Sequence, residues 1–325
     1  MAPRLWTAEQ LIKYVRDHAN VPDTGALGTR DSDIVDYLNE ALYDELVPSI
    51  MDKREDFFVV SERQSVASGQ HRYRIPSRAM GNRLKDVDLI DGTQRIPLNL
   101  LTRGDRAYYG PDSLTYPAGF FLENNDIVLV PDTATPANTS LEIGYFFRPG
   151  EIVESGSYAV VDTVDLDTKT ITLTTTAPSA WTASDLLDIH SYQSGAEIKG
   201  WDLALSSISG DRLTLVFTSS IDDSTVGRKD VEVGDYVCLA GEAALPGIPT
   251  ASHQMLAQVV VAKLLEDQGD ESGLKLAAAK LNRQMKHLNT IVGGDGRVES
   301  SPRKVKARNS PYSARRRRWN WTSGY

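Results

Sequence analysis

The chain has 325 residues, 41% hydrophobic and 24% charged, with one cysteine and a formal net charge of −9. That supports two compact domains with extensions, while a lone cysteine excludes an intramolecular disulfide framework and a Cys-based zinc site. The charge is unevenly spread: residues 297–325 hold nine Lys/Arg against Glu299, a balance of +8, which leaves −17 on residues 1–296. No run approaches the length of a membrane span, and Met1-Ala-Pro-Arg-Leu-Trp lacks the apolar core of a signal peptide. The chain is therefore expected to be made and used on the cytosolic side of a membrane, or in a particle assembled there.

In chain order, Thr7 with Gln10 three residues later reads as a capping box opening a helix through Leu11, Ile12, Tyr14 and Val15 to about His18. A second helix starts near Asp31 or Ser32. Its stripe Ile34, Val35, Leu38, Leu42 and Leu46 has helical spacing, and Pro48 ends or kinks it. The opposite face carries Asp33, Asp36, Glu40, Asp44 and Glu45, a solvated face or a docking surface for a basic partner rather than a metal site.

From Phe57 the period changes to two. Residues 58–66 and 69–76 read as one hairpin, and 84–90 turned at Asp91-Gly92 into 95–98 as another. A third hairpin turns at Asn124-Asn125, and 141–147 is a further strand. Residues 151–245 have a different texture, with Thr, Ser and Asp between short β-branched runs. Within them 164–173 echoes 208–215, and each is followed by a strand, Leu187-Asp188-Ile189 or Tyr236-Val237-Cys238-Leu239. Two hairpin units forming a small barrel or sandwich account for this, as do generic hairpin preferences alone. Cys238 reads as a buried small hydrophobe.

After Pro249, Thr250 or Ser252 caps a helix with apolar positions Met255, Leu256, Val259, Val260, Leu264 and Leu265, ended by Gly269. Ser272 opens a second. There Leu274, Ala278, Leu281, Met285, Leu288 and Val292 are spaced as a heptad seam, and Gly293-Gly294 stops it. The basic tail follows, and it buries too little apolar surface to fold alone. Its partner-binding candidates are Arg303, Lys304, Lys306, Arg308, Tyr312, Arg315, Arg316, Arg317, Arg318, Trp319, Trp321 and Tyr325. Guanidinium and aromatic surface interleaved in this way suit a protein pocket, and equally suit base stacking and phosphate neutralisation.

The fold class expected is α+β: a helical bundle from the N- and C-terminal helices with a small antiparallel sheet, an inserted all-β barrel or sandwich, and an extended basic tail. The divisions fall at 1–150, 151–245, 246–296 and 297–325. His18, His71, His190, His253 and His287 are scattered, with no phosphate loop, dinucleotide fingerprint or nucleophile elbow. Asp165, Asp167, Asp222 and Asp223 read as turn residues rather than calcium ligands. No cofactor, metal or catalytic residue is assigned.

The order of parts, with Tyr73-Arg74-Ile75-Pro76, Leu84-Lys85-Asp86-Val87-Asp88-Leu89, Ile96-Pro97-Leu98, Tyr145-Phe146-Phe147-Arg148-Pro149 and Leu245-Pro246-Gly247-Ile248-Pro249, resembles the head-to-tail adaptor, or connector ring, proteins of tailed bacteriophages. The likeness covers about residues 1–150 and 245–325 and is one of pattern, without a diagnostic motif. It implies a virion structural protein of the neck, forming a ring, usually twelvefold, on the portal protein. A C-terminal extension would dock there through Arg315–Arg318, Trp319 and Trp321, with a downstream tail or nozzle protein below and genomic DNA passing through the lumen. The inserted β unit departs from the simplest adaptors. Two other readings stay open: a nucleic-acid-binding protein using the tail, and a glycan-handling enzyme using the β unit.

Overall fold

The computed structural model describes residues 6–21, 29–67, 69–102, 104–105, 116–131, 139–194, 197–221 and 229–292. The class is α+β, and the described residues hold helices from both ends of the chain, two four-stranded sheets, a two-stranded one and a closed barrel. The tail candidates from Arg303 to Tyr325, the stop at Gly293-Gly294 and the turn at Asp222-Asp223 lie outside the described residues.

The helices are α1 (Ala8–Ala19), α2 (Asp31–Ala41), α3 (Val47–Lys53), α4 (Thr250–Asp267) and α5 (Glu271–Val292). α4 is apolar around most of its circumference, and such a helix is stable only when neighbours surround it. Met255, Leu256, Val259, Val260, Val261, Leu264 and Leu265 are all buried, with α1, α2 and α5 packed around them. The stripe Ile34, Val35, Leu38, Leu42 and Leu46 closes the same core.

Several helix boundaries differ from expectation for local reasons. Thr7 is the N-cap of α1, but its side chain makes no capping bond. The chain runs through Pro48 without stopping: a π turn over Leu42–Leu46 passes into α3, with Pro48 in its first turn and the Ser49 hydroxyl donating to the Glu45 carbonyl at 2.6 Å. The wider turn changes the bonding where proline lacks an N–H and crowds the preceding turn. Pro249, not Thr250 or Ser252, precedes α4. Asp270 rather than Ser272 caps α5, accepting the N–H of Ser272 at 3.2 Å and of Gly273 at 3.0 Å. A carboxylate there satisfies orphan N–H groups and complements the helix dipole.

The strands of the body are β1 (Val59–Ser65), β2 (Arg72–Arg74), β3 (Ala79–Asp91), β4 (Gln94–Pro97), β5 (Asn99–Leu100), β6 (Gly119–Glu123), β7 (Asp126–Val130) and β8 (Thr139–Phe147). They form two four-stranded sheets, β1-β8-β3-β4 and β2-β7-β6-β5, in place of the single small sheet expected. The first is antiparallel; the second holds a parallel pair, β5 with β6. The turns at Asp91-Gly92 and Asn124-Asn125 join the expected hairpins. β1 and β2 are not a hairpin: β1 pairs with β8 and β2 with β7, one in each sheet. Tyr73, Val87, Leu89, Ile127, Leu129, Leu141, Ile143 and Tyr145 fill the core the sheets share.

Beyond β9 (Glu151–Ile152) come β10 (Ala159–Asp165), β11 (Thr170–Leu173), β12 (Leu186–His190), β13 (Ile198–Ile208), β14 (Thr214–Phe217) and β15 (Tyr236–Leu239), then β16 (Glu242–Ala243). β10 to β15 close into a six-stranded barrel in the order β10-β11-β14-β13-β12-β15. The sequence echo has a geometric counterpart. β10-β11 and β13-β14 occupy matching places, and equivalent bonds recur: Thr174 N–H to Val160 O and Thr218 N–H to Ala204 O, both 2.9 Å. Asp185 Oδ2 accepts the Thr182 N–H and Asp235 Oδ2 the Glu232 N–H, both at 2.7 Å, in matching turns before β12 and β15. The barrel is thus a pseudo-twofold object in which Ile171 faces Leu215 and Asp188 faces Cys238.

Candidate functional site

Of the candidate tail and seam residues, the α5 seam is the part the structure describes. Leu274, Leu281 and Met285 are half-buried against the helical core, and Leu288 is buried. Ala277, rather than Ala278, is the small buried residue of the seam. Val292 lies in α5, with its side chain outside the description. Tyr14 links three helices. Its hydroxyl donates to Gln258 Oε1 of α4 at 3.0 Å and accepts from Lys280 of α5, whose ammonium also sits 5.0 Å from the ring centre.

The carboxylate row on α2 and the π turn is exposed at Asp33, Asp36, Glu40, Asp44 and Glu45. Glu40 pairs with Lys263 of α4, and Asp33 accepts the Arg30 N–H at 3.0 Å. Burial holds the Glu45 carboxyl above its usual range; Lys263 opposes this, while Asp44 and Glu40 add to it.

Sequence reasoning missed the junction where the barrel meets the body. Arg78, in the turn before β3, donates to Asp188 Oδ2 of β12 at 2.7 Å, with both side chains buried. Asp188 also accepts the N–H of Asp202 and of Gly241, each at 2.9 Å. Arg78 lies 5.1 Å from the Phe147 ring centre, and Trp201 of β13 packs on the same ring. A buried ion pair of this kind holds only because hydrogen bonds satisfy the carboxylate. Its one sequence signal is a charged residue in the middle of an apolar strand, Leu187-Asp188-Ile189.

The connections into and out of the barrel are clamped as well. β9 and β16 pair in parallel. Asn39 of α2 bonds both ways with Ile152, donating to its carbonyl at 3.0 Å and accepting its N–H at 2.7 Å. Tyr43 donates to the Pro149 carbonyl at 2.6 Å; burial first, then the Glu151 carboxylate, push its pKa up to about 12. At Gly150 a Cβ would stand 2.8 Å from the Glu242 carbonyl oxygen, so only glycine permits that approach.

A cleft of about 580 Å³ opens between β1 and the barrel, floored by Phe57, Val60, Ile198 and Trp201 and rimmed by Arg54 and Lys229. The two deeply buried histidines are structural. Burial lowers the pKa of His190, whose Nε2 lies 3.0 Å from the Glu242 carbonyl. His253 is lowered by burial to about 4, between the Trp6 N–H at 3.4 Å and the Ile248 carbonyl at 3.2 Å. Cys238 is buried and burial pushes its thiol up, as expected of a small hydrophobe. Asp165 is a turn residue, accepting the N–H of Asp167 at 3.1 Å and Thr168 at 3.2 Å. Among the described residues no three His, Cys, Asp or Glu side chains converge as metal ligands, and no helix is long and apolar enough to cross a membrane. No protein-family model matches the chain, and no curated protein matches it.

Proposed function

We propose that this chain is a non-enzymatic virion structural protein, a head-to-tail adaptor that assembles as a ring, docks its basic tail on the portal and bridges capsid to tail. The observation that carries the reading is the charge partition: a body of −17 joined through α5 to a tail of +8 that interleaves arginine and tryptophan. A tail of this composition buries too little apolar surface to fold alone, and its arginine forks and tryptophans suit a carboxylate-lined protein groove. In this reading the helices of the two chain ends form the bundle that builds a twelvefold ring. The divisions at 1–150, 151–245, 246–296 and 297–325 are its working units. The clamped junction supports it further, because a barrel fixed to the body by Arg78, Asn39 and Tyr43 is presented in one orientation to the next tail or nozzle component. A negative lumen would let DNA pass without adhering.

The test is native mass spectrometry of the protein alone and with its portal ring. The adaptor reading expects a stoichiometric ring on the portal, lost on deletion of residues 310–325 while the fold is retained. A protein that ignores portal but shifts with DNA would replace this reading with the nucleic-acid one, which the interleaving of Arg315–Arg318 with Trp319 and Trp321 also favours. Salt separates the two, because phosphate neutralisation weakens steeply with ionic strength and a tryptophan-anchored groove does not.

A further inference from the structure

We propose that the outward faces of α5 and of α2 are the two halves of one contact between copies of this chain, α5 of one copy lying against α2 of the next. The inference rests on the ring reading and names the surfaces that would close it.

α5 turns its seam inward, and the opposite face carries Lys275, Leu276, Ala279, Arg283 and Lys286, all exposed. At three- and four-residue spacing these form one stripe. Glu271 is the only carboxylate of α5, 3.7 Å from Lys275 with both side chains in solvent. Within the stripe Leu276 is 75% exposed. A single exposed leucine is ordinary, but this one stands beside the cations that would flank a partner.

α2 and its π-turn extension, residues 31–46, contain no lysine or arginine at all. Asp33, Asp36, Glu40 and Asp44 fall on one exposed stripe opposite the buried Ile34, Leu38 and Leu42. Asp36 and Asp44 meet no cation among the described residues, and Arg283 meets only the Ala279 carbonyl, at 3.4 Å. Both stripes run about 16 Å at the helical rise. They differ in sign and match in length.

Within one chain these faces do not cover each other. α5 packs against α4 and α3, while α2 packs against α1, α4 and β9. A contact between two different patches is heterologous, and repeated with a closing rotation it makes a ring. The raised Glu45 carboxyl at the end of the acidic stripe is a place where an arriving cation would be favoured.

The experiment is charge reversal on each face, read by native mass spectrometry and sedimentation with and without the portal ring. Lys275→Glu with Arg283→Glu and Lys286→Glu, or Asp36→Lys with Asp44→Lys, should each weaken self-association about tenfold or more, and both sets in one chain should restore it to within about threefold. All the substituted residues are exposed, so melting should scarcely move, which separates lost contact from lost fold. Association that is indifferent to either reversal, or that the combined chain fails to restore, overturns the paired faces while leaving a ring intact. A wild-type chain that stays monomeric with and without portal overturns the ring reading itself.

Discussion

Every buried residue of the barrel core comes from one stretch, Ala159 to Val237, whereas the helical core joins residues 8–58 to Ile152 and to residues 248–288. The barrel closes through near neighbours in sequence; the helical layer has to bring the chain's two ends together around α4. Loop closure makes the second kind of core slower to form and less tolerant of truncation. What joins the barrel to the body combines polar contacts, Arg78 with Asp188 and Asn39 with Ile152, with the packing of Trp201 into the core of the sheets.

The largest effect should come from cutting between these cores. Residues 151–245 expressed alone are expected to give a cooperatively melting β barrel, while residues 1–245 should lose the helical layer, read by circular dichroism and amide exchange. A helical signal that survives loss of α4 and α5 would refute the shared core.

Next is the junction itself. Asp188→Ala leaves Arg78 buried without its carboxylate, and should cost about 3–5 kcal/mol in urea unfolding. Adding Arg78→Met should recover most of that loss. Failure of the double variant to recover would mean that the N–H groups of Asp202 and Gly241, not the ion pair, dominate the cost.

A third probe acts on the helical core through pH. His253 binds its proton near 6.5 when unfolded and only near 4 when folded. Between those values the unfolded state holds more protons, so its contribution is full above about pH 6.5 and falls away as pH drops toward 4, by up to about 3 kcal/mol. His190 shifts in the same direction; Glu45, Asp88 and Glu242, raised by burial, act in the opposite one. Urea titrations across this window should show a shallower acid loss in His253→Gln than in the parent.

The smallest effect is expected at the clamp on β9. Asn39→Ala removes both bonds to Ile152 and should cost about 1–2 kcal/mol by denaturant titration. It should also speed amide exchange at Ile152 while barrel-core amides keep their protection. Equal loosening of the barrel core would show that the two regions do not respond separately.

How much of this was legible depended on whether the cause was local. Asp91-Gly92 and Asn124-Asn125 specify tight turns through their own backbone preferences, and both hairpins are present. The stripe of α2 and the six apolar positions of α4 were readable because burial at helical spacing leaves a periodic trace, whereas the burial of Ala257, Gln258 and Val261 on the other faces of α4 was not. Gly69 suggested a hairpin between β1 and β2, but which strand pairs with which is decided by the two sheets as a whole, and β8 and β7 won those places. The echo of 164–173 in 208–215 was visible as composition, while closure of the barrel depends on β12 meeting β15. Arg78 is remote in sequence from Asp188, so nothing near either residue announced the pair. Of the candidate sites, Leu274, Leu281, Met285 and Leu288 of α5 lie against the helical core, as their spacing suggested.

The pairing of Asp188 with Cys238 across the pseudo-twofold axis has one more consequence. A symmetric drum offers two interchangeable rims, and nothing in its outline distinguishes them. Here one half carries a carboxylate where the other carries a thiol, and only the carboxylate can receive a guanidinium from outside. Carboxylate against thiol at this pair therefore acts as a key, giving the drum an upper and a lower side.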